Sequence, residues 1–248
     1  MRRAHLTRPT AVVSGATSGI GKAIALRLAD GGYDVLALGT NAAKLRALEK
    51  DYGLRIKGVD IADADLVMQA LEGVEADLLV HAAGVLGTAG KVYEITAEAA
   101  ADILGVNVMG TVSLLRALVP SMVERRAGYI ILLGSVAGRN PGNGPALYSA
   151  SKAAVSALAA GLRNDLHGTG VRVTEIQPGR VNTGMHRQLA SGDFYHGYQC
   201  LEADDIASTV AHLVSLPPHV DVSQLEILPT DQTLGGSRFR QRSNSTNA

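Results

Sequence analysis

Sulfur, net charge and long apolar runs are what this chain has least of. One cysteine, Cys200, stands in 248 residues, so an internal disulfide and a cysteine-rich metal site are both excluded, as suits a reducing compartment. Lys plus Arg and Asp plus Glu number 23 each, a formal net charge of +0, so no global field recruits nucleic acid or an anionic membrane surface. After Met1-Arg2-Arg3 the apolar run beyond Thr10 is only AVV before Ser14 and Gly15 interrupt it, too short for a secretory signal. No apolar run approaches the roughly 20 residues that span a bilayer. Internal repeats and low-complexity domains are absent as well. The expectation is a cytoplasmic protein with a small-molecule ligand and neither nucleic acid nor membrane as partner.

What is present is a regular alternation. Hydrophobic residues make up 46% of the chain, enough for one substantial core at this length. Short β-branched runs (TAVVS, YDVLALG, RIKGVDI, DLLVHAAG, YIILLG, GVRVTEIQPG, QLEIL) alternate with Ala/Leu-rich helical segments. Strand-helix alternation implies an α/β fold: a single Rossmann-type, doubly wound domain with a mainly parallel seven-stranded sheet flanked by helices. The domain is expected over 1–235, followed by a polar tail at 236–248. Helices are expected from about Asp63 to Glu72 and from Thr96 to about Arg126, the second with Pro120 forcing a local irregularity.

The segment Ser135–Lys152 supplies the chemistry. Tyr148 and Lys152 stand at i and i+4 in ALYSASKAAVSALAAGL, so a helix places both on one face. An ammonium beside a phenol favours the phenolate, and the expectation is a tyrosine pKa pulled below its usual value of about 10, toward that of a general acid/base. Ser135 follows YIILLG, at the carboxyl end of a strand, which is where open α/β sheets bind ligands.

A cofactor site is legible nearer the N-terminus. Between the first strand and first helix lies SGATSGIGK, with glycines at 15, 19 and 21 and Thr17, Ser18 and Ile20 between them. Glycines permit positive φ and close approach of a pyrophosphate to the helix N-terminus; a merely tight connection is the plainer reading. The second strand ends at Gly39-Thr40-Asn41, without the acid that binds a ribose 2′-hydroxyl in NAD-specific folds. This leans toward NADP, with NAD as the alternative, and with Lys22, Thr40, Asn41 and Lys44 available to a 2′-phosphate. Asp60 and Ile61 close the third strand, where they could frame an adenine. His81-Ala82-Ala83-Gly84 closes the fourth with small residues, and His81 itself reads more readily as a structural histidine than as a proton carrier. Asn107, in GVNVMG, reads from its context as a hydrogen-bonded core or kink residue. Pro178-Gly179 ends another strand near the expected nicotinamide position, and an unpatterned stretch, about 183–202, is the expected substrate loop.

Together these residues resemble the short-chain dehydrogenase/reductase family over nearly the whole chain. Ser14-Gly15 through Gly21 is similar to its TGxxxGxG cofactor turn, with serine for threonine. Asn107, Ser135, Tyr148 and Lys152 fall on its catalytic asparagine, serine, tyrosine and lysine, with thirteen residues from Ser135 to Tyr148. The resemblance implies that Tyr148 exchanges the substrate proton, Lys152 also holds the nicotinamide ribose, Ser135 binds the substrate oxygen and Asn107 keeps a water in line. It further implies cofactor contacts from Pro178, Gly179, Val181 and Thr183. One departure is HAAG, where the family has NNAG or NAAG. The C-terminal half (DLHGTGVRVTEIQPG, SLPPHVDVSQLEILP) resembles the NADP-dependent 3-hydroxy acid dehydrogenases and sulfoacetaldehyde reductases. Their small anionic substrates imply an arginine near the cleft, with Arg139, Arg180 and Arg187 as candidates. The same scaffold hosts 3-oxoacyl thioester reductases, sugar alcohol dehydrogenases and, outside enzymes, dinucleotide-binding regulators. The resemblance also implies a homotetramer built on the Asn107 and Tyr148 helices.

Overall fold

In the computed structural model the described residues are 8–87, 90–141, 144–185 and 199–233. Strand and helix alternate from the start: β1 (Thr10–Ser14), α1 (Gly19–Asp30), β2 (Asp34–Gly39), α2 (Ala42–Tyr52), β3 (Arg55–Gly58), α3 (Ala64–Ala70) and β4 (Leu78–His81). After α4 (Ala97–Leu104) and α5 (Gly110–Arg125) come β5 (Gly128–Leu133), α6 (Val136–Arg139), α7 (Ala146–Asp165) and β6 (Val171–Pro178). The short β7 (Val181–Asn182) and β8 (Leu201–Glu202), then α8 (Ala203–Ser215) and β9 (Gln224–Ile227), complete the order.

Seven strands form one sheet in the order β3-β2-β1-β4-β5-β6-β9, and every pairing in it is parallel. The α/β, doubly wound class expected from the alternation is the fold observed. Successive residues of β1 enter opposite cores, as the period of a strand requires. Val13 packs with Ile24, Leu28 and Ile206 from α1 and α8; Val12 packs with Leu114, Leu118 and Val155 from α5 and α7. Both faces are therefore covered, which is why these strands read as continuous apolar runs rather than alternating ones. The chain reverses its direction of winding between β1 and β4, and the carboxyl ends of those two strands flank the crevice where such sheets bind ligands.

Three segments differ from their sequence expectation. The helix beginning after Thr96, whose hydroxyl accepts the Ala99 N–H at 3.2 Å, runs straight through Pro120; its irregularity is a π-helical turn at Gly105–Met109. Hydroxyls follow that turn and bond back into it: Thr111 Oγ1 donates to the Asn107 carbonyl at 2.8 Å and Ser113 Oγ to the Met109 carbonyl at 2.9 Å, supplying donors where the α ladder is broken. Ala97–Arg125 as a whole is long and apolar enough, by length and composition, to cross a membrane, but here its residues Leu114, Leu118 and Met122 are fully buried against the sheet. Next, Leu201 and Glu202, expected within the substrate loop, pair in parallel with Val181 and Asn182. The rest of that loop, 186–198, lies outside the described residues, as does the tail from 234 onward. Finally, the helix expected from Asp63 is shorter: Asp63 caps α3 by accepting the N–H groups of Asp65 and Leu66.

Candidate active site

A cleft of about 520 Å³ runs along the carboxyl ends of the strands. It gathers Gly15, Thr17, Ser18, Gly19, Ile20 and Gly21 after β1, Thr40 after β2, Asp60 and Ile61 after β3, and Ala82, Ala83 and Gly84 after β4. Ser135, Tyr148, Lys152, Pro178, Gly179, Val181 and Thr183 line its other end. Most residues singled out from the sequence are thus brought to one surface.

The turn after β1 shows why it needs glycine. Gly15 has φ +71°, and a Cβ there would meet the Ala83 nitrogen at 2.7 Å; a Cβ on Gly21 would collide with the Gly15 carbonyl. The β1 and β4 loops therefore touch backbone to backbone, which only residues without side chains in the contact allow. α1 begins at this turn with no acid in its first turn and with the Ser18 hydroxyl making no cap bond, and its first residues Gly19 and Ile20 line the cleft, a helix N-terminus suited to an anion.

At the end of β2, Thr40 and Lys44 line the cleft and no carboxylate stands at 39–41. Asn41 instead caps α2, its Oδ1 accepting the Lys44 N–H at 3.0 Å. Lys22 lies 5.8 Å from the centre of the Tyr52 ring and does not line the cleft. Asp60 does, with Oδ1 accepting the Ala62 N–H at 3.0 Å, which fixes the loop after β3.

The catalytic set is held by two helices and a strand end. Tyr148 and Lys152 are both buried on α7. Lys152 Nζ donates to the Leu133 carbonyl at 2.7 Å and sits 6.0 Å from the Tyr148 ring centre. Burial lowers the Lys152 pKa to about 8, against an opposing influence from Glu175. Tyr148 departs from expectation: its pKa is raised, not lowered. Burial dominates, and only a hydrogen bond from Ser135 opposes it; the ammonium is turned to Leu133 and does not offset the loss of water. Ser135 caps α6, accepting the Ala137 N–H at 3.2 Å.

Asn107 does not line the cleft but braces it. From the π turn its Nδ2 donates to the Val85 carbonyl and to Ser151 Oγ, both at 2.9 Å, and its Oδ1 accepts the Val85 N–H at 2.8 Å. One side chain so ties the loop after β4 to α7. His81 is likewise behind the surface. Ser14 Oγ lies 2.7 Å from its Nδ1 and accepts the Ala83 N–H at 3.3 Å, so Ser14 and His81 together hold the HAAG backbone. Nε2 has no partner, and burial drives the His81 pKa down to about 3, with Lys152 adding to the effect. His81 is a neutral structural residue.

The three candidate arginines are placed apart. Arg139 Nη1 donates to Gln224 Oε1 at 3.2 Å, outside the cleft. Arg180 stands between the lining residues Gly179 and Val181, its N–H bonded to Gln232 Oε1 at 2.9 Å. Arg187 lies outside the described residues. Met185, at the start of the expected substrate loop, lines the cleft too. Sequence reading missed Val59 and Leu86, apolar lining residues that carry no motif. It also missed Glu175, a carboxylate in the middle of a buried strand, whose signal was its polarity among the apolar neighbours of VRVTEIQP.

The donor set fits a dinucleotide. The glycine cradle a Cβ would fill, the helix N-terminus beside it and the buried Tyr148 and Lys152 at the far end match the parts such a ligand presents. The short chain dehydrogenase family matches residues 9–193. Serine 3-dehydrogenase of Rhizobium radiobacter is 36% identical over 94% of this chain and 99% of its own length. The NADP-dependent 3-hydroxy acid dehydrogenase YdfG of Escherichia coli strain K12 is 34% identical over 91% and 96%. The closed form of a serine dehydrogenase complexed with NADP⁺ superposes with a TM-score of 0.87 at 32% identity, covering 94% of this chain and all of that one. This chain belongs to the short-chain dehydrogenase/reductase family and is an oxidoreductase.

Proposed function

We propose that the protein is an NADP-dependent oxidoreductase that moves a hydride between nicotinamide and a small hydroxy acid or the matching anionic carbonyl compound. The observation that carries this reading is one cleft holding Ser135, Tyr148 and Lys152 at one end and an acid-free β2 terminus with Thr40 and Lys44 at the other. The acid-free terminus suits a 2′-phosphate, and Lys44 is the cation beside it. The names of the serine and 3-hydroxy acid dehydrogenase relatives favour the same substrate class.

A nicotinamide cofactor, when bound, would supply the hydride chemistry. The chain's own groups manage the proton and the charge. Ser135 donates its hydroxyl to the substrate oxygen while accepting from Ala137. Tyr148 gives a proton to that oxygen in reduction and takes it back in oxidation; its burial keeps it protonated, the state required for reduction. Lys152, anchored on Leu133 and lining the cleft, would hold the cofactor ribose with its remaining N–H groups. Asn107 holds the loop after β4 at the spacing this arrangement needs. Arg180, between the lining residues Gly179 and Val181, is the described candidate for the substrate anion.

The exposed side chains Leu104 and Met109, 40% and 53% accessible, suit burial between subunits, and we assign a homotetramer on that face. Initial rates with NADP⁺ and NAD⁺ on serine, 3-hydroxypropionate, 3-hydroxybutyrate and isethionate test the reading. It predicts turnover mainly with NADP⁺ on at least one of them. Activity confined to acyl thioesters or polyols overturns the substrate class, and cofactor binding without turnover on any alcohol overturns the enzyme reading in favour of a regulator.

A further inference from the structure

Among the described residues, Lys152 and Glu175 are the buried side chains of opposite formal charge, at 6% and 2% exposure. Glu175 is the one to which the mechanism gives no role. It sits on β6, opposite Leu132 of β5, directly beneath the strand end that delivers Ser135. Its Oε1 accepts from Ser156 Oγ at 2.5 Å, and its Oε2 accepts from Gln177 Nε2 at 2.9 Å and Gln224 Nε2 at 2.8 Å. All three donors are neutral, so the hydrogen bonds satisfy the carboxylate's lone pairs without cancelling its charge. Ser156 lies one turn after Lys152 on α7 and also donates to the Lys152 carbonyl at 3.2 Å. Gly134, which precedes Ser135, has its Cβ position filled by Glu175 Oε1. One carboxylate thus touches the strand end before Ser135 and, through one hydroxyl, the helix turn of Lys152.

A lone buried carboxylate is costly unless something of opposite sign is near. The titratable groups facing Lys152 are Tyr148 on its own helix, His81 from β4 and Glu175 from β6. Burial keeps the first two neutral, which leaves Glu175 as the formal negative charge. Its influence on Lys152 is in the direction of retaining the proton.

We propose that Glu175 is a positioning residue for the reaction: its carboxylate is the protein's own counter-charge to Lys152 and, through Ser156 and Gly134, fixes the helix turn of Lys152 against the strand end of Ser135. The functional part of this statement rests on the hydride-transfer reading above, but the charge coupling does not, and it is tested without substrate or cofactor.

The experiment is an NMR titration of the protein labelled at lysine ¹³Cε, with Lys152 assigned from its missing signal in Lys152→Met. In the wild type Lys152 titrates well below the exposed lysines, near about 8. Glu175→Gln keeps shape, and a flip of the Gln177 amide, whose Oε1 has no partner, lets it keep hydrogen bonds. The expected result is a fall of at least about one unit in the Lys152 midpoint, a tenfold change in proton affinity. An unmoved midpoint in a folded Glu175→Gln protein overturns the proposal. If that variant does not fold, Glu175→Gln combined with Lys152→Met decides, because removing both charges should recover stability that removing one loses. An equal loss of Tm from Glu175→Gln with Lys152 present and with methionine in its place contradicts the coupling. A Lys152 effect with no activity on any hydroxy acid would leave the coupling intact and count against the substrate reading alone.

Discussion

Tyr148 and His81 are both buried and both neutral, and the consequence differs because only one reaches the cleft. With Tyr148 held protonated by burial, the reductive direction needs no prior ionisation, whereas oxidation needs the phenolate. The oxidative rate should therefore climb with pH above neutrality while the reductive rate stays level there, as pH profiles of kcat in both directions would show. His81 acts on stability. Its pKa falls from 6.5 to about 3 on folding, so the unfolded chain binds the proton more readily. Its contribution is complete above pH 6.5 and lost as pH falls from there toward 3. His81→Asn, restoring the side chain that HAAG replaces, should reduce the loss of Tm between pH 7 and 4; an unchanged slope would show that other groups govern acid unfolding. Lys152 has the same sign at higher pH. Its lowered pKa penalises the fold below about 8 and the penalty fades as pH rises toward 10.5, so the wild type should gain stability between those pH values, a gain that Tm measured against pH should find missing in Lys152→Met.

Two elements carry the geometry between these residues. The π turn at Gly105–Met109 presents Asn107, whose three hydrogen bonds join the β4 loop to α7. Truncation removes three hydrogen bonds, two of them to the part-buried backbone of Val85, at about 0.5–1.5 kcal/mol each, so Asn107→Ala should lower the unfolding free energy by ~2 kcal/mol in urea titration and weaken cofactor binding with it. Asn107→Asp, retaining one acceptor, should lose less. The second element is the contact of α6 with α7. A Cβ on Gly138 would stand 2.7 Å from the Lys152 carbonyl carbon, backbone against backbone, and cannot be relieved by a rotamer. Gly138→Ala should displace α6, and Ser135 with it, lowering kcat roughly 10–10²-fold while cofactor affinity changes little. The i, i+4 spacing of Tyr148 and Lys152 and the glycine turn were legible in the sequence because each depends on a local period or a local φ. The π turn was not, since one widened turn leaves the apolar pattern of GVNVMG unchanged. Nor was the direction of Lys152, which the Leu133 carbonyl decides from another part of the chain.

At the scale of the whole molecule, the fold follows from a pattern repeated along the chain, and this is why it was readable throughout: apolar strands buried on both faces, separated by helices long enough to cross over. The site is readable where it is made of strand ends and turns. It is least readable where specificity is set by long side chains, because an arginine in sequence carries no direction. Arg139 turns to Gln224, and Glu175, hidden in β6, takes Ser156, Gln177 and Gln224 as partners from three places in the chain. The exposed Leu104 and Met109 fall in the helix pair that carries the π turn, so the proposed assembly and the site would share one support. A Met109→Glu variant should shift the sedimentation coefficient toward smaller species and lower turnover together; an unchanged coefficient would place the subunit contact elsewhere.

The central claim is that a proton passes through Tyr148 while the hydride moves on the cofactor. The most direct measurement is single-turnover oxidation of NADPH by the carbonyl partner of the best hydroxy acid, comparing wild type with Tyr148→Phe at matched cofactor occupancy. The account predicts that the variant binds NADPH with near wild-type affinity and loses at least about 10²-fold in the rate of the chemical step. A variant that keeps more than a tenth of the wild-type rate would contradict it.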